Sequence, residues 1–89
     1  MSNTVFTATY DPEADALAID LEASGPRRSA RTEQLDERRF VDYDATGRIV
    51  SIELLDVSGG VVFDGLPDAG LVRGVVERLA SDQGWAGRP

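Results

Sequence analysis

Apolar and polar residues alternate along much of the stretch from residue 5 to residue 57, as in strands that turn one face to a core. The last alternating segment is the clearest, because Val50, Ile52 and Leu54 fall on one face and the residues between them on the other. The alternation predicts an antiparallel β-meander of about five strands. We place these strands at residues 5–10, 16–21, 30–35, 39–43 and 48–54.

Short polar segments between these strands predict tight reversals of the chain. After the first strand, Pro12 suits the second position of a type I turn, and the Asp11 side chain can cap that turn. Between the fourth and fifth strands, Asp44 and Gly47 stand at the first and fourth positions of another turn. That spacing predicts a type I turn closed by a left-handed glycine, which is a common hairpin loop.

The period of the pattern changes near residue 66, from strand-like alternation to helical spacing. Pro67 and Asp68 suit the first turn of a helix, and Gly84 suits its end. We therefore predict an amphipathic helix over about residues 66–83. Its apolar stripe, with spacings of three and four residues, is formed by Leu71, Val72, Val75, Val76 and Leu79.

Three further residues of this region carry expectations about packing. Gly70 and Gly74 weaken a helix, and we expect that they allow it to approach the sheet closely. Trp85 follows the predicted helix end and is expected to pack back onto the domain.

A helix that follows a meander can cover one apolar face of the sheet. The sequence thus predicts one α+β domain over residues 1–89, an antiparallel β-meander with one C-terminal amphipathic helix packed on one face. The meander would span about residues 5–57, the helix about 66–83, and both termini would be frayed. Because so short a chain has a thin core, self-association is a natural way to complete it.

The composition excludes several kinds of chemistry. The chain has no cysteine and no histidine, and all nine of its basic residues are arginine. A disulfide framework, a thiolate or imidazole metal site, a histidine base and a lysine Schiff base are therefore ruled out. We predict that the protein is not an enzyme and that it has no cofactor.

The formal net charge of −7 disfavours nucleic acid and favours a basic protein as a partner. We interpret a cluster of five arginines as the solvated face of a loop and a strand, with a local basic patch as the alternative. No membrane span or secretory signal is visible, and we predict a cytoplasmic protein. The cluster consists of Arg27, Arg28, Arg31, Arg38 and Arg39.

Two segments resemble a known family. Residues 10–17 read Tyr-Asp-Pro-Glu-Ala-Asp-Ala-Leu, and residues 40–50 read Phe-Val-Asp-Tyr-Asp-Ala-Thr-Gly-Arg-Ile-Val. In this order they resemble the bacterial domain of unknown function 2283 family, over roughly residues 6–58. The sequence departs from the family pattern at Ala18, where a larger residue is expected. The resemblance implies a small β-rich cytoplasmic protein without an assigned activity, and an antitoxin-like role beside a small toxin-like partner.

Acidic residues supply the candidates for a cation- or metabolite-binding site. Asp42, Asp44 and Glu53 come from two neighbouring strands and the turn between them, so they could face each other. Like charges opposite one another destabilise a sheet, so a ladder of arginine-paired carboxylates is the other interpretation. The acidic residues between Asp11 and Glu22 have the spacing of a calcium loop but lack its glycine, and we interpret them as a hairpin turn.

Apolar residues outside the predicted core suggest an interaction surface. We assign Phe6, Tyr10, Phe40 and Ile49 to the second face of the sheet, which one helix would leave exposed. An exposed apolar patch marks a protein contact. The leading hypothesis is therefore a small non-catalytic protein-interaction module that forms a homodimer through this face or through an edge strand.

Overall fold

The structure, a computed structural model, describes residues 5–22 and 29–85 of the chain. In this part, five antiparallel strands form one sheet, and a helix follows them, which confirms the predicted α+β class. The predictions for the termini, for Arg27 and for Arg28 fall outside the described residues. The strands are β1 (Val5–Asp11), β2 (Ala16–Glu22), β3 (Arg31–Asp36), β4 (Arg39–Tyr43) and β5 (Ile49–Leu55), and the helix is α1 (Ala69–Gln83).

The strands lie in the order β1-β2-β5-β4-β3, so β3, β4 and β5 form a consecutive meander, whereas β2 pairs with β5. The apolar strands take the centre of the sheet. Ile52 of β5 lies opposite both Ile19 of β2 and Val41 of β4, and all three side chains are fully buried. The charged strand β3 stands at one edge, where charge discourages pairing with other chains.

One face of the sheet packs against α1 and forms the core; we call it the covered face, and the face turned away from α1 the open face. Val72 and Val76 of α1 are fully buried against the covered face. Leu66 closes the same core ahead of the helix. The core residues of the sheet are Leu17, Ile19, Val41, Ile52 and Leu54.

The helix begins at Ala69, three residues later than predicted, and ends where predicted. Asp68 has a left-handed backbone with φ of 51° and no side-chain capping bond, so it closes the preceding loop and the helix starts after it. At the other end Gly84 has φ of 71°, and the Trp85 amide donates to the Ala80 carbonyl at 2.9 Å. This is the Schellman ending that a left-handed glycine permits.

The expectation for Trp85 is confirmed, and that for Gly70 and Gly74 is wrong. The Trp85 ring meets the Tyr10 ring edge-on, with 5.5 Å between centroids. A Cβ atom built on either glycine would meet nothing within 4 Å outside the helix itself, because both glycines lie on its solvent side. They therefore do not serve a close approach to the sheet.

The strand register corrects the predicted second face. Phe6 lies opposite Leu21 and Tyr10 opposite Leu17, and opposite residues share a face, so both aromatic residues are on the covered face. Ile49 also packs against the core, because the β4–β5 register shifts there and moves Val50 out of the pairing. Of the four assigned residues, Phe40 alone is on the open face, opposite Glu53.

Candidate interaction site

The structure does not bring the predicted acidic site together. Asp42 accepts hydrogen bonds from the Thr32 and Ser51 hydroxyl groups, the latter at 2.7 Å. Glu53 shares the open face but lies two positions along β5 from Ser51, the residue opposite Asp42. Across residues 5–22 and 29–85, no group of three or more acidic side chains could hold a metal ion. The partners of Asp42 are hydroxyl groups, so the arginine ladder is also wrong at this position.

Asp44 serves the turn that the sequence predicted. Its Oδ1 accepts bonds from the Thr46 amide at 2.9 Å and the Arg48 amide at 3.0 Å. The Gly47 amide donates to the Asp44 carbonyl at 3.0 Å, and Gly47 has φ of 87°. The predicted type I turn with a left-handed glycine is confirmed. The Asp44 carboxylate accepts its hydrogen bonds from amides of the same loop.

The first turn divides its acidic residues between two roles. Asp11 caps the turn as predicted, since its Oδ1 accepts the Glu13 amide at 3.0 Å. Asp15 has a left-handed backbone with φ of 53° and turns its carboxylate toward the 3₁₀ turn at Val57–Gly59. Through Asp15, the turn of the β1–β2 hairpin is thus bonded to the 3₁₀ turn that follows β5.

Asp15 joins three segments of the chain through its two carboxylate oxygens. The Tyr10 hydroxyl donates to one of them at 2.7 Å, and the Ser58 hydroxyl donates to the other at 2.7 Å. The Ser58 amide lies 3.1 Å and 3.2 Å from the two oxygens. We call Tyr10, Asp15 and Ser58 the Asp15 network. This network was not predicted from the sequence, because Ser58 is far from Asp15 along the chain.

The Asp15 network shifts the pKa values of its acid and its phenol in opposite directions. Burial alone would raise the pKa of Asp15, but hydrogen bonds from Ser58 and Tyr10 outweigh burial and hold it below the usual value. The hydrogen bond to Asp15, aided by burial and the nearby negative charges, raises the pKa of Tyr10 to about 12. The charged carboxylate and the neutral phenol therefore stabilise each other.

The described arginines of the predicted basic cluster have partners within the domain. Arg31 lies over the Tyr43 ring, 4.2 Å from its centroid, and Arg38 pairs with Asp56 at 3.3 Å on the surface. Arg39 is the most enclosed of the three, with 14% of its side chain exposed. These contacts favour a structural role over a basic binding patch.

Arg39 fastens the segment between β5 and α1 to the sheet. Its Nε donates to the Asp36 carboxylate at 2.9 Å, and its Nη1 donates to the Val62 carbonyl at 3.1 Å and to the Asp64 carbonyl. A cavity of about 440 Å³ lies beside it, with apolar walls from Leu54, Leu55, Val61 and Val62. Its charged lining residues are Asp36, Glu37, Arg38 and Arg39, of which Asp36 and Arg39 are paired with each other and Arg38 is paired with Asp56.

Strand β1 is the exposed edge of the sheet and the clearest candidate for an interaction site. In the part of the chain that the structure describes, β2 is its one neighbouring strand. No residue before Asp11 in β1 is charged, and Val5 and Phe6 are 60% and 40% exposed. The opposite edge, β3, carries Arg31, Glu33 and Asp36 and has a register shift. Charges and bulges protect an edge from pairing, so among the described strands β1 is the less protected of the two edges.

A groove of about 210 Å³ runs beside β1 on the covered face. Its sheet side is formed by Phe6, Ala8, Tyr10 and Leu17, and its helix side by Val75, Arg78, Leu79 and Asp82. Its two aromatic residues, Phe6 and Tyr10, were predicted from the sequence to belong to an interaction surface, whereas the helix side of the groove was not predicted. The stripe at 71–79 already indicated that Val75 and Leu79 face the sheet, but only the strand order shows that they lie beside β1.

Within the described residues, no helix is long and apolar enough to cross a membrane. The predicted cytoplasmic location stays a prediction.

Comparison with known proteins gives one family match. A family model described as "Protein of unknown function (DUF2283)" matches residues 8–58. The match extends from β1 to the 3₁₀ turn and leaves out α1. No curated protein and no solved structure matches the chain. The resemblance in the sequence is thereby confirmed; the match begins at Ala8 within β1 and includes all of β2, β3, β4 and β5.

Proposed function

This chain belongs to the DUF2283 family of proteins of unknown function, and we propose that it is a small non-catalytic protein-interaction module that forms a homodimer through the edge of β1. The observation that carries the proposal is the contrast between the two sheet edges. Strand β1 is uncharged over residues 5–10 and exposes Phe6, whereas β3 is charged and irregular. An open edge of this kind binds another strand through its main-chain groups.

Charge supports a second copy of the chain as the partner at this edge. With a net charge of −7, two copies repel each other over most of their surfaces. Residues 5–10 form a segment where they can meet without placing carboxylates together. The apolar groove beside β1 adds side-chain contact to the main-chain pairing.

The chemistry of the described side chains supports a role without catalysis. The acidic residues with strong hydrogen bonds, Asp15, Asp42 and Asp44, serve turns and strand contacts. The chain contains no histidine, cysteine or lysine that could act as a base or nucleophile.

We expect Phe6→Glu to raise the dimer dissociation constant at least about tenfold, since each dimer loses two exposed aromatic contacts and gains two charges at its edge. Analytical ultracentrifugation from low to high micromolar concentration measures this constant. The matched control is Val62→Glu, which adds the same charge at another exposed apolar residue, away from β1.

Two outcomes would contradict the proposal. One is a native protein that stays monomeric at high micromolar concentration. The other is a dimer that Phe40→Asp weakens and Phe6→Glu leaves intact, because Phe40 is on the open face and that result would assign the interface there.

We also propose, as a second candidate, that the open face binds a basic protein such as a small toxin. Asp20, Asp42 and Glu53 lie on three adjacent strands of this face. Arg31 lies opposite Tyr43 and Arg39 opposite Leu54, so both of these strand arginines are on the covered face and leave the acidic residues of the open face unpaired with them. An acidic face favours a basic partner and speeds its association.

For this candidate, the double variant Asp20→Asn with Glu53→Gln should weaken binding of a small basic protein encoded beside the gene by about tenfold at low salt. Calorimetry on the co-purified pair measures the change. The control is Asp64→Asn with Glu77→Gln, which neutralises one Asp and one Glu at exposed positions outside the strands. Equal losses in both variants would contradict a role for the open face.

A further inference from the structure

We infer that two copies of β1 pair antiparallel in a single register, with Ala8 of one copy opposite Ala8 of the other. The inference rests on the proposed homodimer and adds its geometry. The two sheets would then join into one continuous sheet, with both α1 helices on the same face. Three observations carry it: the length of β1, the symmetry of its sequence, and the residues beside the groove.

Symmetry restricts the registers that a dimer can use. Two antiparallel copies of an edge strand are related by a two-fold axis perpendicular to the sheet. Residues that lie opposite each other in paired strands share a face of the sheet, and successive residues of one strand alternate between the two faces. A residue can therefore lie opposite only a residue of the other copy that is an even number of positions away. It follows that one residue lies on the axis, opposite its own copy. An axis at Ala8 pairs all of Val5–Asp11, whereas an axis at Thr7 or Thr9 pairs residues 5–9 or 7–11.

The sequence around Ala8 is symmetric by residue type. Residues 6–10 read Phe-Thr-Ala-Thr-Tyr, so the same order of aromatic, threonine and alanine is met from either end. With Ala8 on the axis, Thr7 of one copy lies opposite Thr9 of the other, and Phe6 lies opposite Tyr10. Threonine pairs and aromatic pairs are both favourable across antiparallel strands.

The two faces of β1 fit this pairing. Phe6, Ala8 and Tyr10 are opposite covered-face residues of β2, so the aromatic pairs would lie on the helix side, beside the groove. Phe6 is 40% exposed in one copy, and the Tyr10 ring of the second copy would cover it. The threonine pairs would lie on the open face.

The helix side of the groove carries charges of both signs. Arg78 and Asp82 line it, and within one copy they form a long contact of 4.0 Å between largely exposed side chains. With the two-fold axis at Ala8, the two grooves would lie on the same face of the joined sheet, and each would carry one Arg78 and one Asp82, so the groove linings bring no net like charge to the interface. Asp11, the nearest β1 carboxylate, would lie opposite Val5 and away from its own copy.

Cysteine crosslinking tests the register directly, since the native chain contains no cysteine. Opposite residues have Cβ atoms close enough for a disulfide, whereas the diagonal neighbour is too far. We expect a mixture of Thr7→Cys and Thr9→Cys proteins to crosslink between unlike chains at least about tenfold faster than either protein alone. Ala8→Cys alone should also crosslink. Mass spectrometry identifies the linked chains, and circular dichroism confirms the fold of each variant.

The outcomes separate the register from the homodimer. Rapid crosslinking of Thr7→Cys alone, or of Thr9→Cys alone, would move the axis to that residue and overturn the register while the homodimer stands. A dimer in sedimentation whose mixed Thr7→Cys and Thr9→Cys samples show no preference for unlike pairs would also overturn it. A native protein that sediments as a monomer would overturn the register together with the proposed homodimer.

Discussion

Replacing Ile52 with Ala is expected to lower the free energy of unfolding by about 2–5 kcal/mol, the largest loss that we predict for a single side chain. Ile52 is fully buried in the central strand, between Ile19 and Val41 on the two adjacent strands. Its truncation removes apolar contacts and leaves a cavity that three strands and α1 cannot all close. Urea denaturation followed by circular dichroism measures the change.

The control for this prediction lies on the same strand. Leu55→Ala removes a similar side chain that is 37% exposed, and its expected loss is smaller than that of Ile52→Ala. Ile52→Val, with an expected cost of about 0.5–1.5 kcal/mol, serves if the alanine variant is already unfolded without urea. Equal losses at Ile52 and Leu55 would contradict the assignment of the core.

Ile52 also shows how far the sequence predicts this fold. Alternation along residues 48–54 identifies the face that carries Ile52 and Leu54, because side chains in a strand alternate whatever the neighbouring strand is. It does not say which strands are adjacent. The pairing of β2 with β5 is a tertiary contact, and the sequence alone suggested a consecutive meander.

Register explains why Phe6, Tyr10 and Ile49 do not lie on the face of the sheet that the sequence predicted for them. The pattern in β1 correctly separates Phe6 and Tyr10 from the two threonines between them, Thr7 and Thr9. Whether the aromatic side of β1 lies on the covered face depends on the hairpin, which sets Tyr10 opposite Leu17. At Ile49 a one-residue register shift reverses the face that strict alternation assigns.

The turns were more predictable than the site because their chemistry is local. Asp11 and Asp44 cap turns through amides two to four residues away, and such short-range spacing is visible in the sequence. The carboxylate of Asp15 is bound by Ser58, which only the folded chain brings near. A turn residue with a long-range partner therefore looks like an ordinary turn residue in the sequence.

Replacing Asp15 with Ala is expected to lower the free energy of unfolding by roughly 1–3 kcal/mol, because the part-buried Ser58 amide and hydroxyl lose their acceptor. The left-handed backbone at Asp15, with φ of 53°, adds a cost for alanine. Thermal and urea denaturation measure the loss. Asp15→Asn is the matched variant, since asparagine tolerates this backbone and keeps one acceptor oxygen but carries no charge.

The acid dependence of the Asp15→Asn variant separates the charge of the carboxylate from its shape. Because folding lowers the pKa of Asp15, its charge stabilises the native protein fully above the unfolded pKa of about 4. That contribution is lost as the pH falls through the lowered folded pKa. The stability difference between the native protein and Asp15→Asn should therefore be constant near neutral pH and shrink in acid. A difference that stays unchanged through this acid range would show that the charge of Asp15 contributes nothing.

At alkaline pH the same network makes the opposite prediction for its phenol. Folding raises the pKa of Tyr10 to about 12, so the neutral phenol stabilises the native protein below the unfolded pKa of about 10. This contribution is lost as the pH rises through the folded value. In Asp15→Asn the pKa of Tyr10 should fall toward 10, because the charge that opposes phenolate formation is gone. Ultraviolet titration of the tyrosines, with Tyr43→Phe to isolate Tyr10, measures this shift. An unmoved Tyr10 would mean that burial, and not the Asp15 carboxylate, keeps its phenol neutral.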